Sequence, residues 1–487
     1  MHFHTRIFNT KLVAHLLGTV LLGIAGFMLL PIVVSFSCND GAQRGFLFTL
    51  GVVSVLGVLL RNVLGRKPNY DFYEKESFWL TSIVWIVVPM VCALPYLLTG
   101  TFSSVVDAMF ESFSGFTSTG STVVTDFDNI PKSILVWRSM SQWIGGLGLM
   151  LLTIAVVRKL KKGMNHLYSA EFSGTVQQKI HPRMSTTVRR MWYVYIFFTI
   201  LLLVFLLLVG NDFIEALCLS LSTISTGGFS PRAYSITSFG QSTQIAVAVF
   251  MFISGINISL LYHLLRFRPI KLWQNEEFRR YLTIILVASI LLLLMLYANG
   301  ADFFQAAKFS LFQVVSAIST TGYYTVMPSG WIMIVPLFMF MLMFFGACSG
   351  SSGGGIKIVR VLILFKYVRN QFTVMLHPRA VVPVKIDGQI IQTSYINKIF
   401  AFVFMYFVFI VLGAFVFMCC GLTLSDSLSI ALANISNIGP VIDTIGGSWS
   451  YATLPLVAKL TIIFEMLLGR LEIFAIIAIF SPSYWRG

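Results

Sequence analysis

The sequence predicts an all-α polytopic membrane protein with ten transmembrane spans, and its composition and its apolar runs are the first two observations that predict it. Hydrophobic residues make up 57% of the 487 residues and charged residues only 11%, whereas a soluble domain carries about 25% charged residues. Because about 20 helical residues cross the hydrocarbon core of a bilayer, long apolar runs with few charges indicate spans. Ten runs qualify: 12–35, 46–65, 77–99, 136–157, 191–210, 241–265, 281–299, 332–368 (interrupted), 399–420 and 454–481.

The first run follows a short basic start with Arg6 and Lys11, as a secretory signal peptide would. Its apolar stretch is longer than the core of a typical signal peptide, and Ser37-Cys38 is a poor processing site. We therefore expect a retained helix. With the second run it forms an N-terminal helix pair over residues 1–70.

The net charge of +15 admits two explanations, a nucleic-acid surface or the positive-inside rule of membrane proteins. Basic residues cluster after runs 4 and 6 and after the interruption of run 8: Arg158, Lys159, Lys161, Lys162, Lys179, Arg183, Arg189, Arg190; Arg266, Arg268, Lys271, Arg279, Arg280; Lys357, Arg360, Lys366, Arg369, Arg379, Lys385, Lys398. The alternate loops are acidic: Asp107, Glu111, Asp126, Asp128; Asp212, Glu215; Asp302; Asp426, Asp443. All basic loops therefore fall on one side, which we expect to be cytoplasmic together with both termini, and no nucleic-acid partner is predicted.

The third observation is an internal fourfold repeat. Four segments align on a shared glycine: FTSTGS (116–121), TISTGG (223–228), ISTTGY (318–323) and ISNIGP (435–440), with Gly120, Gly227, Gly322 and Gly439. Each follows a stretch that is too short to span and opens near an aspartate: 105–117, 212–224, 302–319 and 425–436. Each unit thus predicts a spanning helix, a short helix, a glycine loop and a second spanning helix. The repeats cover 71–165, 185–270, 278–375 and 394–487, and their loop regions cover 105–123, 212–229, 302–325 and 425–441.

Lipid offers no partners for backbone groups, so irregular backbone at membrane depth must line a cavity. Four such loops around one axis predict a pseudo-fourfold pore, in which carbonyl oxygens replace the hydration shell of an ion. Glycine permits the positive φ values that align consecutive carbonyls. The negative C-terminal ends of the short helices and the acidic outer loops favour a cation. A turn explains one S-T-G tripeptide, but four in matching positions favour a pore.

The resemblance of this chain to a known family rests on several longer stretches. They are FESFSGFTSTGSTV (110–123), SQWIGGLGLM (141–150), LSTISTGGFS (221–230), SAISTTGYYT (316–325), FGACSGSSGGGIKIVR (345–360), ANISNIGP (433–440) and LLGRLEIF (467–474). They resemble the Trk/Ktr/HKT superfamily of potassium transporters, and within it the bacterial TrkH type. The resemblance implies potassium uptake across the bacterial inner membrane, a homodimer, and a cytoplasmic TrkA-type nucleotide-binding regulator built of RCK domains.

The resemblance also implies a selectivity filter that binds K⁺ through backbone carbonyls. Its residues map onto Ser118, Thr119, Gly120, Ser225, Thr226, Gly227, Thr320, Thr321, Gly322, Asn437, Ile438 and Gly439. The fourth loop departs from the pattern, because Asn437-Ile438 stands where the other loops have Ser/Thr-Thr. No Cys or His spacing indicates a metal site, and we expect no cofactor; K⁺ is the transported substrate.

Run 8 is interrupted by the ten small residues GACSGSSGGG, which include Gly346, Gly350, Gly353, Gly354 and Gly355. Such a segment cannot form a stable lipid-facing helix, so it must be buried or lie across the pore. We expect a flexible barrier below the filter, and the resemblance implies an intramembrane gating loop. The alternative is a helix kink with small-residue packing. The match to G-x-S-x-G lacks the strand and histidine that a hydrolase needs, and no enzyme is predicted.

Charges inside a span are functional candidates. Arg470 lies inside the last run, near Glu465 and Glu472. We expect Arg470 to point into the pore near the gating loop and to limit conduction, as the resemblance supports. The alternative is an ion pair with one of the two glutamates that only packs helices. Lys357 and Arg360 could instead reach the cytoplasmic interface.

Two transport mechanisms remain open at this point. One is passive, channel-like permeation; the other is a symporter that couples K⁺ to Na⁺ or H⁺. A coupled carrier usually keeps ionisable groups at its binding site, and the four loop cores contain none. The sequence therefore favours a carbonyl filter.

Overall fold

The computed structural model describes residues 9–65, 74–148, 184–325, 334–439 and 451–480. Within these ranges the regular structure is helical apart from one short two-stranded hairpin. A helix satisfies its own backbone N–H and C=O groups, which suits a chain surrounded by lipid. Large apolar side chains such as Leu208, Phe404 and Phe415 are exposed on the outer surface, where lipid would cover them.

The described helices are given in chain order, grouped by the predicted division into one pair and four units, which stays a prediction. The pair comprises α1 (Thr10–Phe27), α2 (Leu29–Cys38) and α3 (Gln43–Val58), which continues as a π-helical turn, Leu59–Leu64. The first two units comprise α4 (Glu74–Cys92), α5 (Leu94–Leu98), α6 (Val105–Phe116), α7 (Lys132–Leu147), α8 (Met184–Leu208), α9 (Phe213–Ile224), α10 (Gln241–Ser254), α11 (Ile258–Leu265) and α12 (Ile270–Gln274). The last two comprise α13 (Glu276–Ala298), α14 (Phe303–Ser319), α15 (Ile334–Leu342), α16 (Ile358–Leu376), α17 (Thr393–Cys419), α18 (Leu424–Ile435), a 3₁₀ turn (Tyr451–Thr453), α19 (Leu456–Arg470) and α20 (Phe474–Phe480).

Six helices of the described ranges are long and apolar enough to cross a membrane: Thr10–Cys38, Gln43–Leu64, Glu76–Leu98, Thr187–Leu208, Glu276–Ala298 and Thr393–Cys419. The pair α10 and α11, bent by 108°, is a seventh if it counts as one span. The other predicted spans are interrupted or leave the described ranges: 136–157 leaves them at 149, and 332–368 and 454–481 are broken between helices. The total of ten therefore stays a prediction.

The N-terminal pair packs by close backbone contact. A Cβ added to Gly18 would lie 2.6 Å from the Gly57 carbonyl oxygen and 2.6 Å from the backbone nitrogen of Arg61. Small residues allow this approach between helices that lack a hydrophobic driving force in lipid. The pair then contacts the first unit, where α1 packs on α4 and α2 on α7.

A small second core lies apart from the main apolar cluster. Strands β1 (Lys385–Ile386) and β2 (Gln389–Ile390) pair antiparallel around Asp387-Gly388, both with positive φ. This Asp-Gly turn is typical of a tight hairpin. Ile386 packs in a cluster with Val359 and Ile363 of α16 and Ile396 of α17, so the hairpin is held against the first turns of two helices.

Candidate functional site

The four short helices end in the same turn. One residue in each turn has a positive φ without being glycine: Ser118 (54°), Thr226 (52°), Thr320 (60°) and Asn437 (51°). The N–H of the next residue donates to a carbonyl five residues earlier: Thr119 to Ser114 (3.0 Å), Gly227 to Ser222 (2.8 Å), Thr321 to Ser316 (3.0 Å) and Ile438 to Ala433 (2.9 Å). This is the Schellman motif. Four non-glycine residues in this conformation indicate that the turn is imposed by the surrounding structure.

These turns fix the register of the four loops. The glycine two residues after each turn residue also has positive φ: Gly120 (85°), Gly228 (80°), Gly322 (83°) and Gly439 (74°). In loop 2 the counterpart of Gly120 is therefore Gly228, and Gly227 stands where Thr119 stands in loop 1. The sequence alignment on Gly227 is wrong by one residue. Loop 2 contains two consecutive glycines, and the sequence alone allows either of them to be aligned with Gly120. Ser225 consequently precedes the turn, as Thr117 does.

The four loops close into a ring. A Cβ added to any of these glycines would collide with a carbonyl oxygen of the next loop. The pairs are Gly120 with Gly227, Gly228 with Thr321, Gly322 with Ile438, and Gly439 with Thr119. The contacts run from loop 1 to loop 4 and back to loop 1, so one carbonyl from each loop contributes to a closed circle.

The chemistry of this ring favours a cation. Its oxygens belong to residues two or three positions past the C-terminal ends of four helices, where the helix dipole is negative. Ser118, Thr226, Thr320 and Asn437 contribute no ionised group. Carbonyl oxygens in such a ring can replace water around a cation that has left its hydration shell.

Side chains of α7 hold loop 2 from behind. Gln142 Nε2 donates to the Gly227 carbonyl at 2.6 Å, and the Phe229 N–H donates to Gln142 Oε1 at 3.2 Å. One helical turn earlier, Arg138 Nη1 donates to the Ser230 carbonyl at 3.3 Å. The backbone of loop 2 is thus fixed at three points by one helix, at the ring residue Gly227 and at Phe229 and Ser230 beyond it.

Arg138 also forms a buried ion pair that reaches loop 1. Its Nε lies 2.7 Å from Glu111 Oε1, and the two side chains are 2% and 0% exposed. Thr122 bridges the pair, since its hydroxyl donates to Glu111 and accepts from Arg138 Nη2 at 3.0 Å. The Val123 N–H donates to Glu111 at 3.1 Å. We call Glu111, Arg138 and Gln142 the α7 clamp.

The α7 clamp corrects the expectation for Glu111, and it contains two residues for which the sequence analysis predicts no role. Glu111 was expected to belong to an acidic outer surface, but it is fully buried and paired. Arg138 and Gln142 were not singled out, although Arg138 is a charge inside an apolar run, which is a recognised signal. Asp107, another residue of the predicted acidic loops, has its Oδ1 2.5 Å from Lys459 Nζ.

Loop 4 uses its unusual asparagine to contact loop 1. Asn437 Nδ2 donates to Thr119 Oγ1 at 2.9 Å and to the Met466 carbonyl at 3.0 Å. In loop 3 the corresponding support is internal, a 2.7 Å hydrogen bond between Ser319 and Thr321 hydroxyls. The departure of loop 4 from the Ser/Thr-Thr pattern therefore places an amide where it joins two loops.

Residues 346–355, which we call the glycine-rich segment, lie against the ends of the short helices. The Gly354 N–H donates to Thr320 Oγ1 at 2.8 Å, and Ser352 Oγ donates to the Ile224 carbonyl at 3.1 Å. A Cβ on Gly353 would lie 2.9 Å from the Ser319 carbonyl oxygen, and one on Gly354 would collide with that of Ser436. The segment therefore contacts the C-terminal ends of α9, α14 and α18, and the close contacts require glycine.

Arg470 joins the glycine-rich segment to the end of α7. Its guanidinium donates to the Ser352 carbonyl at 3.0 Å, to the Gly146 carbonyl at 2.8 Å and to the Gly145 carbonyl. A cation at the C-terminal end of a helix is favoured by the helix dipole.

The two glutamates near Arg470 in the sequence lie in different surroundings. Glu472 forms an ion pair with Arg360 at 2.5 Å. Glu465 is buried against Gly413 of α17, and both of its carboxylate oxygens lack a hydrogen-bond partner among the described residues. Glu465 is therefore not the partner of Arg470.

A small cavity lies between loop 4, the glycine-rich segment and Arg470. Its volume is about 40 Å³, enough for at least one water molecule. Asn437 of loop 4, Gly353, Lys357 and Arg470 are among its lining residues. The Lys357 ammonium donates to the Gly353 carbonyl at 2.8 Å, so two cationic side chains lie at the inner end of the loops.

Comparisons with known proteins agree with this architecture. The family described as TrkH, cation transport protein, matches residues 46–305 and 305–486. The Trk system potassium uptake protein TrkH of Escherichia coli K12 is 30% identical over 492 residues, covering 100% of both chains. The Trk system potassium uptake protein TrkG of the same organism is 30% identical, covering 98% of this chain and 99% of that protein.

A solved structure extends the likeness to the fold. The crystal structure of the potassium transporter TrkH from Vibrio parahaemolyticus superimposes with a TM-score of 0.89 at 28% identity, covering 98% of this chain and 99% of that one. The match therefore extends over nearly the whole chain. This multi-pass membrane protein belongs to the TrkH family of cation transport proteins.

Proposed function

We propose that this protein takes up potassium across the bacterial inner membrane through the ring formed by its four loops. The observation that carries the proposal is the closed circle of carbonyls from Thr119, Gly227, Thr321 and Ile438 at the ends of four helix dipoles. Geometry supports a cation, and the names of the relatives support K⁺. The proposed filter consists of Ser118–Gly120, Thr226–Gly228, Thr320–Gly322 and Asn437–Gly439, in the register that the turns define.

The glycine-rich segment and Arg470 form the proposed gate. The segment contacts three short-helix ends, and Arg470 donates to carbonyls on both the segment and α7. An ion leaving the ring meets the small cavity and then these groups. Opening requires the segment to withdraw from Thr320 and Ser436, which glycine permits because its backbone is unusually free. Gly346, Gly350 and Gly355, all with positive φ, are the proposed hinge positions.

The proposed assembly is a homodimer whose cytoplasmic face receives a TrkA-type nucleotide-binding regulator. The relatives are named as parts of a Trk system, which supports a multi-component transporter. The basic loops support a cytoplasmic position for that face and for both termini. No cofactor or enzymatic step is part of the proposal.

Uptake of radioactive rubidium into proteoliposomes tests the proposed function. We expect accumulation that K⁺ suppresses strongly and Na⁺ weakly, because Rb⁺ and K⁺ have similar hydration. Empty liposomes provide the baseline. Uptake that equals this baseline, or that Na⁺ suppresses as well as K⁺ does, would contradict a potassium pathway.

One observation favours the second candidate function, a symporter coupled to Na⁺ or H⁺. Glu465 is a buried carboxyl without a hydrogen-bond partner in the described structure, and it lies on α19, which packs against the short helix α18. Ionisable groups inside membranes often serve coupled transport. Reversal potentials decide: at fixed K⁺, a shift with a Na⁺ or H⁺ gradient supports coupling, and an unchanged potential supports the passive pathway.

A further inference from the structure

The glycine-rich segment is held on its far side by the hinge between α10 and α11. The Cys348 N–H donates to the Gly255 carbonyl at 3.0 Å, and the Ile258 N–H donates to the Gly350 carbonyl at 3.1 Å. Asn257 Nδ2 donates to the Ser349 carbonyl at 2.6 Å. The segment therefore moves with the hinge or must break these three bonds.

A second attachment comes from the start of α13. The Ser349 N–H donates to Glu277 Oε1 at 2.6 Å, in a buried position. Residue 349 is thus bonded through its carbonyl to the hinge and through its N–H to α13. Only the chain from α11 to the start of α13 links these two attachment points in sequence.

That connecting chain is exposed and carries apolar and basic side chains together. Residues 264–275, which we call the inner linker, include Phe267, Ile270 and Trp273, which are 95%, 68% and 59% exposed. Arg266, Arg268 and Lys271 lie among them and are also exposed. Their basic character is complementary to an anionic surface.

The position of the inner linker relative to the membrane follows from its neighbours. α13 begins at Glu276 and is long and apolar enough to span, while α11 ends at Leu265 after a 108° bend from the apolar α10. The ten residues 266–275 between the end of α11 and the start of α13 connect two apolar helices, so we expect this part of the inner linker to lie at the membrane surface. Positive charge places it on the cytoplasmic side. Exposed tryptophan and phenylalanine beside arginine and lysine suit the headgroup region.

We propose that the inner linker binds anionic phospholipid headgroups of the cytoplasmic leaflet and that this contact draws the hinge and Ser349 away from the loops, which opens the gate. The binding part stands on the exposed side chains alone, whereas the gating part rests on the proposed function. Phe267, Ile270 and Trp273 insert between headgroups, and the three basic residues bind phosphate. The glycine-rich segment moves with the inner linker because hydrogen bonds join it to Gly255, Asn257 and Glu277.

Direct binding is the first test. We choose the triple variant Arg266→Gln, Arg268→Gln, Lys271→Gln, with a control that removes the same charge from exposed residues elsewhere on that face, Arg369→Gln, Arg379→Gln, Lys398→Gln. Native mass spectrometry of the full chain in detergent measures retained phosphatidylglycerol. We expect the triple variant to bind about fivefold more weakly for each charge removed, and the control to retain most of the affinity. Equal loss in both variants, or in neither, overturns the site.

Rubidium uptake is the second test, in vesicles of phosphatidylcholine with and without phosphatidylglycerol. We expect faster uptake by the wild type when phosphatidylglycerol is present, and no such difference in the triple variant. A triple variant whose uptake rises with phosphatidylglycerol as that of the wild type does overturns the coupling to the gate. A triple variant that keeps this rise and loses only a response to an added cytoplasmic protein partner also overturns it. If the wild type takes up no rubidium in either vesicle, the proposed function fails while the binding test still decides the lipid site.

Discussion

The loop ring has two halves that are held in different ways. Loops 1 and 2 are fixed from behind by the α7 clamp, a buried charged cluster with several hydrogen bonds to loop backbone. Loop 3 and the end of α18 have neutral contacts, and part of that support comes from the glycine-rich segment through Thr320 and Ser436. The difference indicates a division of work. We infer that the α7 clamp keeps the spacing of loops 1 and 2, while the glycine-rich segment communicates with the ring through the ends of α9, α14 and α18.

The largest expected effect tests the ring that both halves share. Gly322→Ala places a Cβ against the Ile438 carbonyl and strains a positive φ, so we expect rubidium uptake to fall to background. Gly300→Ala is the matched control, because Gly300 also has positive φ (86°) with no atom within 4 Å of the added Cβ. Similar loss in both variants would mean that backbone strain alone, and not the ring contact, is responsible.

The next effect breaks the clamped half. Arg138→Met leaves Glu111 as an unpaired buried charge, which costs about 3–5 kcal/mol of stability. We expect a large fall in the thermal midpoint in detergent and, in the protein that remains folded, weaker discrimination of K⁺ from Na⁺.

The chain provides two controls for that experiment. Arg232 pairs with Glu215 at 2.6 Å, but their side chains are 42% and 22% exposed, so Arg232→Met should cost only about 0–1 kcal/mol. The double variant Glu111→Leu, Arg138→Met removes both charges. It should recover the thermal midpoint but not the discrimination of K⁺ from Na⁺. A single Arg138→Met variant as stable as Arg232→Met would refute the clamp.

On the gate side, Arg470→Ala removes the donors to Ser352, Gly145 and Gly146 and should raise rubidium uptake several-fold. Exposed Arg369→Ala provides the control for the loss of one positive charge. We expect the K⁺ to Na⁺ ratio to stay near the wild-type value, because the α7 clamp is untouched. A folded Arg470→Ala protein with wild-type uptake would exclude a gating role.

The smallest expected effect compares two supports of loop 2, the hydrogen bonds from Gln142 of the α7 clamp and the bond from Ser352 of the glycine-rich segment. Gln142→Leu removes hydrogen bonds to Gly227 and Phe229, each worth about 0.5–1.5 kcal/mol, and should lower selectivity with little change in maximal rate. Ser352→Ala removes one bond from the glycine-rich segment to α9 and should change the rate with little change in selectivity. Uptake competition curves measure both quantities. Identical behaviour of the two variants would remove the distinction between the halves.

The sequence predicted a helical membrane chain, and it contains local signals for three of the four glycines found in the loop ring, Gly120, Gly322 and Gly439. Apolar length, aspartates near helix starts and isolated glycines are visible in one dimension. The alignment on Gly227 is shifted by one residue because loop 2 has two adjacent glycines. Which of them matches Gly120 is decided by where the preceding helix ends, and that depends on hydrogen bonds. Three partners of Arg470 are backbone carbonyls, which have no sequence signal. The pairing of Arg138 with Glu111 joins two elements and required the three-dimensional structure.

The central claim is that the four loop carbonyls form one cation site. Anomalous diffraction from crystals of the full chain grown in rubidium tests it most directly. The account predicts a rubidium peak at the centre of the ring, within coordination distance of the Thr119, Gly227, Thr321 and Ile438 oxygens. An ordered ring without a peak, or rubidium bound only elsewhere in the chain, would contradict it.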